Sequence, residues 1–449
     1  MKKRILVLML GLSASLSFIS CGGSAKTNPP SGLKERVLAS QGVSSTFTAG
    51  SLDIIDAQND TVPRVSPLSA GTSPSLIVLS PTRNIAAAFD AIGNTVYAID
   101  TVKETGIGSV RLPGSTTSMT FPTAEGTGYA AVPTATVNGF RFLGAVEMMS
   151  FSTSALTPIA VAGAQTVVSD STGTQLLVFS NDSDSVTVLN PGNAVPPVDT
   201  SCLAPPNSVC TVVTGFSRPV NAIVNGTTAY ILNCGLQCGA TQPATSAACG
   251  TPNAQACISI FDLPSLTITN TIPVDAATMA LLNGSTLYVA GTPPTNNDCT
   301  GQLSNTGQQT AATICGRLDV VDLGSLTVTG SAKITDGFHD RMDLTANGQV
   351  FAGSRDCTNI GNVNNPSGEV RGCLSIFKTA DGSVLIPPDT GDVNGLQGFV
   401  SRDVEYVAEG GALRVYDTKK DILLINDFLP QGTINIVGYI GDVKAIDFF

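Results

Sequence analysis

Few side chains in this chain could do chemistry, and most of them are cysteine. Eleven cysteines stand against one histidine, His339, and no tryptophan. One histidine cannot build a multi-imidazole metal site, and tryptophan stacking of sugars or quinones is excluded. His339 lies in Asp336-Gly337-Phe338-His339-Asp340-Arg341. A His beside an Asp could be an oriented general base, yet no nucleophile accompanies it, and the segment reads as a surface turn between two strands. Asp392-Val393-Asn394-Gly395 and Asn181-Asp182-Ser183-Asp184 contain fragments of calcium-loop chemistry. Neither has the full alternating ligand set closed by a Glu, so both read as turns. A Gly-x-Ser-x-Gly elbow, a Walker loop, a dinucleotide fingerprint and a His-Glu-x-x-His helix are all missing. Catalytic residues, metal ligands and cofactors are therefore not expected.

Composition narrows the class further. The 449 residues hold 23 Lys+Arg and 34 Asp+Glu, a formal charge of −11, with 45 Gly and 26 Pro. That balance excludes the basic footprint of a nucleic-acid-binding protein. Only 13% of residues are charged, about half the globular norm of roughly 25%. With 42% hydrophobic residues, a large buried core is available and disorder is not the default.

The N-terminus carries an address. Lys2, Lys3 and Arg4 precede a mostly apolar run from Ile5 to Phe18. That run is too short for a ~30 Å hydrocarbon core and reads as an export signal over 1–20. Phe18-Ile19-Ser20-Cys21 resembles the lipobox of bacterial lipoproteins, although Phe18 departs from the usual Leu. The resemblance implies that Cys21 becomes the lipidated first residue. Gly22, which is not acidic, resembles the pattern of outer-membrane lipoproteins of Gram-negative bacteria. Residues 21–49, rich in Gly, Ser, Pro and Asn near their start, read as a flexible tether with an r.m.s. span of about 25–30 Å. No other stretch is long and apolar enough to span a bilayer as a helix.

From residue 50 to 449 the chain repeats. Short apolar runs end in a polar residue and a turn: Leu52–Asp56, Val96–Asp100, Ala145–Phe151, Val186–Asn190, Ile258–Asp262, Leu318–Asp322, Leu374–Lys378 and Leu413–Asp417. The spacing defines a unit of about 40–45 residues, stretched in places by insertions. Each unit holds four strand-like runs; in the fifth they are Ile258–Asp262, Leu266–Val274, Thr278–Leu282 and Thr286–Ala290. The runs are almost continuously apolar, as in strands buried on both faces. The expected fold is all-β, a single β-propeller with eight four-stranded repeats. Seven blades would follow if a terminal repeat is split or one unit is an insertion. Leu177 to Asn190 resembles the YVTN-type propeller repeat, in which a strand ending in Thr-Asn is followed by a turn and a Val-x-Val-Ile-Asp strand. The resemblance is degenerate and speaks to fold rather than function. The acidic residue ending most of these strands reads as a turn cap that accepts backbone N–H groups; an acidic functional ring is the other option.

Ten cysteines remain beyond Cys21, and an even number in an exported chain implies disulfides. Cys257, Cys315 and Cys373 sit at odd offsets before their strand ends, so they share a face. Cys234, Cys299 and Cys357 are their upstream equivalents. The expected bridges are 234–257, 299–315 and 357–373. A bridge between Cys238 and Cys249 would nest in the first, and one between Cys202 and Cys210 would close a separate loop. Nearest-neighbour pairing, 234–238 and 249–257, is the competitor. The three loops stapled by the first set are expected to join the outer strand of one blade to the inner strand of the next. They would form a polar patch over blades 4 to 7, with Gln237, Gln242, Asn296, Asn297, Asp298, Gln302, Asn305, Arg355, Asp356, Asn359 and Asn362 as the candidate binding face. Amides both donate and accept, which suits neutral polar partners.

These features point to an exported, lipid-anchored envelope protein. Its propeller would act as a non-catalytic binding or scaffolding module for an envelope protein or a neutral polar ligand. Propellers of this kind include lactonase-like hydrolases, so a hydrolase with a site at the central channel is the alternative. A purely structural envelope protein is the third reading.

Overall fold

The computed structural model describes residues 29–43, 50–122, 126–193, 209–240, 246–250, 254–293, 316–357, 360–361, 370–387, 391–427 and 429–447. Within them eight antiparallel sheets each form a propeller blade, and a ninth, two-stranded one pairs Ile360–Gly361 with Val370–Arg371 between the second and third strands of blade 7. The innermost strands touch one another in a closed ring around a channel. In chain order these are Pro74–Leu79 (blade 2), Ser118–Thr120 (blade 3), Ala164–Ser169 (blade 4), Pro219–Asn225 (blade 5), Met279–Asn283 (blade 6), Phe338–Leu344 (blade 7), Val393–Phe399 (blade 8) and Tyr439–Ala445 (blade 1). We call the face where these strands begin the upper face. The loops between second and third strands also emerge there, because strands alternate in direction.

All eight runs recognised in the sequence are third strands of blades. They lie between two neighbours and under two adjacent blades, which accounts for their apolar composition. The sequence unit therefore straddles two blades: Ala256–Asp262 and Thr267–Val274 end blade 5, while Met279–Asn283 and Thr286–Gly291 begin blade 6.

The strand-end carboxylates cap turns. Asp56 accepts the Gln58 N–H at 3.0 Å, Asp100 accepts Lys103 at 2.9 Å, Asp322 accepts Ser325 at 3.0 Å and Asp417 accepts Lys419 at 2.9 Å. The Ser265 hydroxyl and N–H hold the Asp262 carboxyl below its ordinary range. A second polar position, three residues earlier, secures the crossover that enters each blade. Asp319 accepts the Asp275 N–H at 2.8 Å, and Ser375 accepts that of Thr335 at 3.0 Å. In blade 5, Asn233 accepts the Ser217 N–H at 3.0 Å and donates to Ser259 at 2.9 Å.

Blade 1 closes the ring with both ends of the chain. Arg36–Gly42 lies between Tyr439–Ala445 and Ser51–Asp56, and a Leu52–Leu68 bridge replaces a full outer strand. The sheet thus reaches back into residues read as tether. At the start of this strand Arg36 is 1% exposed. Its Nε and Nη2 donate to the two Asp447 carboxylate oxygens at 2.9 and 2.8 Å, and Nη1 donates to Glu104 at 2.7 Å. A second clasp joins blade 8 to blade 1: Arg402 Nη2 and Tyr406 Oη each donate to Asp60 at 2.6 Å.

Removing one side of a buried, hydrogen-bonded pair leaves the other charge uncompensated, at about 3–5 kcal/mol. Arg36→Ala is expected to lower unfolding stability by that amount in a urea titration. A loss under about 1 kcal/mol would mean the strand pairing alone closes the ring.

Candidate functional site

The innermost strands are not regular. Strand pairing shifts register near the upper end in blade 2 (between Pro74 and Leu76), blade 4 (Ala164 and Thr166), blade 5 (Pro219 and Asn221), blade 7 (His339 and Arg341) and blade 8 (Val393 and Gly395). A bulge bends its strand and re-aims side chains. Here three of them deliver Gln165 and Thr166, Val220 and Asn221, and Asp340 and Arg341 into a cavity of about 660 Å³ at the upper mouth of the channel. A second cavity of about 560 Å³ lies along Leu76–Ser80, Arg83, Gln397, Asp442 and Lys444. Asp340 and Arg341 line both, so they stand between the upper and lower parts of the channel.

The upper cavity is walled by hydroxyls and amides, by charged side chains, and by apolar ones including Val167, Val168, Phe179 and Phe338. Gln165 donates to Thr117 at 3.0 Å and accepts from Asn181 at 3.1 Å, linking blades 3 and 4. Five of the cavity's six charged side chains lie in ion pairs. Arg355 Nη2 lies 2.7 Å from Asp340 Oδ2, and Arg341 Nη1 lies 3.4 Å from the same oxygen. Arg341 also donates to the Asn394 carbonyl at 2.6 Å. Burial pushes the Asp340 carboxyl up, while the two guanidiniums pull it back. Arg218 sits 3.8 Å from Asp182 and 3.9 Å from Asp184. Below, Glu405 is fully buried beside Asp343; burial first, then the Asp343 charge, raise it well above the carboxylate range.

Cys238, Arg355 and Asp356, from the described ends of the blade 5 and blade 7 loops, line this mouth, and two expectations about the loops need correcting. The loops 234–257, 299–315 and 357–373 connect second to third strands within blades 5, 6 and 7, rather than one blade to the next. They still emerge on the upper face, since both kinds of connection do. In the first loop the bridges are Cys234–Cys238 and Cys249–Cys257, at S–S distances of 1.98 Å each, in place of 234–257 and 238–249. The reason is local. Gly235 takes a left-handed φ of 55°, and a Cβ there would lie 2.0 Å from the Gln255 carbonyl oxygen. That turn starts the short helix Gly235–Cys238, which folds Cys238 straight back to Cys234. Cys357 pairs with Cys373 at 1.97 Å.

Cys210 stands apart from this set. It opens the outer strand Cys210–Thr214 of blade 4, opposite Leu189 at the end of the third strand, and is buried and disulfide-bonded. Third strands run downward, so Cys210 sits at the lower face, away from the stapled mouth. Its expected partner Cys202 lies outside the described residues, and the 202–210 pairing with it. Cys299 and Cys315, with the 299–315 pairing, and Cys21 also lie outside them.

Of the candidate face, Arg355 and Asp356 line the upper cavity. Gln237 is half-buried and serves the fold: its Oε1 accepts the Thr292 N–H at 2.8 Å, and its Nε2 donates to the Gly337 carbonyl at 3.4 Å. It therefore stitches the blade 5 staple to blade 6 and to the crossover into blade 7. Gln242, Asn296, Asn297, Asp298, Gln302, Asn305, Asn359 and Asn362 lie outside the described residues. The bulge residues Gln165, Asn221, Asp340 and Arg341 escape a reading based on loops. Their one shared signal is a polar residue two or three positions into the strand, Gln165, Asn221 or Asp340.

His339 is not in a surface turn. It lies in the strand Phe338–Leu344 and is wholly buried, while Asp340, its neighbour, lines the channel. Burial pushes its pKa down to about 4, against a pull from the Thr335 backbone. An unfolded histidine takes a proton below about pH 6.5, whereas the folded one resists until about pH 4, so stability falls as pH drops through that window. Glu147, pushed up to about 7 by burial, acts oppositely and costs stability as pH rises from about 4.5 to 7. His339→Gln is expected to remove the acid-side loss, on the order of 3 kcal/mol at most, seen as a flatter melting temperature between pH 6.5 and 4. An unchanged acid limb would contradict the burial of this imidazole.

No family model matches the chain, and no curated protein matches it. Among solved structures, dihydro-heme d1 dehydrogenase NirN in complex with DHE is 11% identical, with 92% of this chain and 75% of that chain covered and a TM-score of 0.55. The C-terminal WD40 domain of Sif2 is 12% identical over 82% of this chain and 86% of that one, with a TM-score of 0.48. Hydrazine synthase of Kuenenia stuttgartiensis is 12% identical over 77% of each chain, with a TM-score of 0.41. At these identities the likeness to NirN speaks to the fold alone, and the fold it supports is the β-propeller.

Proposed function

We propose that this chain is an exported lipoprotein of YVTN-like type. Acylated Cys21 tethers it to the cell envelope, and its propeller binds a polar partner at the upper mouth of the channel without catalysis. The observation that carries the binding reading is the cavity of about 660 Å³, edged by Cys238, Arg355 and Asp356, with bulged strands aiming amides and hydroxyls into it. Such a lining donates and accepts at fixed positions, which suits a neutral polar ligand or the polar loop of an envelope protein.

The hydrolase reading has one observation in its favour: Asp340, Arg341 and Arg355 converge at the mouth. Against it, Asp340 is held in an ion pair with Arg355 and has no imidazole beside it in the channel.

The test is a binding and turnover screen on the purified protein. Neutral oligosaccharides, short peptides and lactones are examined by ligand-observed NMR and by product assay. We expect saturable binding without turnover, weakened at least tenfold by Asn221→Ala or Gln165→Ala. Lactone hydrolysis abolished by Asp340→Asn would establish the enzyme instead. Mass spectrometry of the N-terminal peptide is expected to show acyl chains on Cys21, absent in Cys21→Ser.

A further inference from the structure

The chain enters the propeller on the face opposite the cavity. Arg36–Gly42 runs antiparallel to Tyr439–Ala445, so Arg36 lies at the lower end of blade 1 and Gly42 at the upper end. The residues just before Arg36 are fastened there. The Ser31 N–H and hydroxyl each donate to Glu104 at 2.7 Å, and Glu104 sits in the lower turn of blade 2 between Thr95–Asp100 and Thr105–Arg111.

From these positions, and resting on the lipid-anchor reading above, we infer that the lower rim of blades 8, 1 and 2 abuts the membrane, and that the stapled mouth opens away from it. The ten residues from Cys21 to Ser31 span at most about 35 Å when fully extended, and about 17 Å as a flexible coil. Turning the upper face to the bilayer would route this segment past two outer strands, about 10 Å, and then up a sheet about 20 Å tall. That path consumes nearly the whole extended length. The direct path consumes almost none.

Exposed apolar side chains do not separate the two faces: Val62, Val400 and Ile422 stand at the lower rim, and Ile92, Leu143, Val437 and Tyr439 at the upper. The orientation is carried by the tether. Of the cations beside the entry, Lys103 is paired with Asp100 at 3.1 Å, Lys419 with Asp403 at 2.6 Å and Lys420 with Asp417 at 3.2 Å, while Lys34 and Arg64 are exposed. The contact follows from the short tether. The partner of the mouth is then a soluble molecule or the projecting part of a neighbouring protein, and not the anchoring bilayer itself.

The experiment uses the full lipidated chain in zwitterionic phosphatidylcholine vesicles. A clickable non-natural residue carries a donor dye at position 400 (lower face) or 92 (upper face), and the acceptor is a headgroup-labelled lipid. Transfer efficiency is expected to be at least twofold higher from position 400 than from 92. Equal or reversed efficiencies from an acylated chain would overturn the orientation and leave the lipid reading standing. A chain without acyl groups on Cys21, by mass spectrometry, would overturn both.

Discussion

Ring closure is the constraint on which this structure depends. Eight sheets can share one channel only if the first and last are joined, and nothing in the local sequence of any blade does that. The joint is made by residues 411 positions apart: Arg36 and Asp447 meet through two parallel hydrogen bonds at the lower end of blade 1. A forked guanidinium on a carboxylate fixes orientation as well as distance. Closing so long a loop costs entropy that grows only slowly with length, and here it is met by the pairing of Arg36–Gly42 with Tyr439–Ala445, this clasp and the Arg402–Asp60 clasp. The clasp also reaches Glu104, and through it Ser31. The point where the chain enters the fold is thus part of the same network that closes it.

Low charge follows from the same architecture. Third strands are covered by a strand on each side and a blade on each face, so a charge there must be either satisfied or neutral. Asp319 and Ser375 show what survives: polar atoms that accept the N–H groups of a crossover. Other acids cap backbone N–H groups, in lower turns as Asp56 and Asp417 do or at upper crossovers as Asp90 does for Ser73, or they line the channel, where Asp340 meets two arginines.

The third strands are the legible part of this fold because continuous burial leaves an apolar run, closed in five of the eight by an aspartate. What periodicity lacks is phase. A repeat reads the same wherever the count begins, so the unit starting at the third strand placed the stapled loops between blades, when they lie within them. Counting residues also put Cys257 on the expected strand but said nothing of Gly235, whose left-handed turn redirects the pairing. His339 was misplaced because Gly337 before it reads as a turn, whereas the turn ends there and a strand begins. The mouth itself was hidden for a related reason. Its residues come from bulges, and a bulge breaks the alternation by which a strand is recognised.

Those bulges, together with the staples, decide what the mouth can do. Binding costs the ordering of side chains and loops at the site, and affinity reflects what is left after that cost. Here much of the ordering is already done in the free protein. Gln165 is held between Thr117 and Asn181, Gln237 ties the Cys234–Cys238 turn to Thr292 and Gly337, and Arg341 is fixed on the Asn394 carbonyl. Catalysis would need a group free to exchange a proton near neutral pH within reach of a substrate. Asp340 instead spends its exposed edge on Arg355, and the chain's one imidazole is buried away from the channel. The binding role proposed above rests on this rim: ordered in advance, it would hold a polar surface at low cost in ordering, whereas the lactonase-like alternative would have to free Asp340 from Arg355.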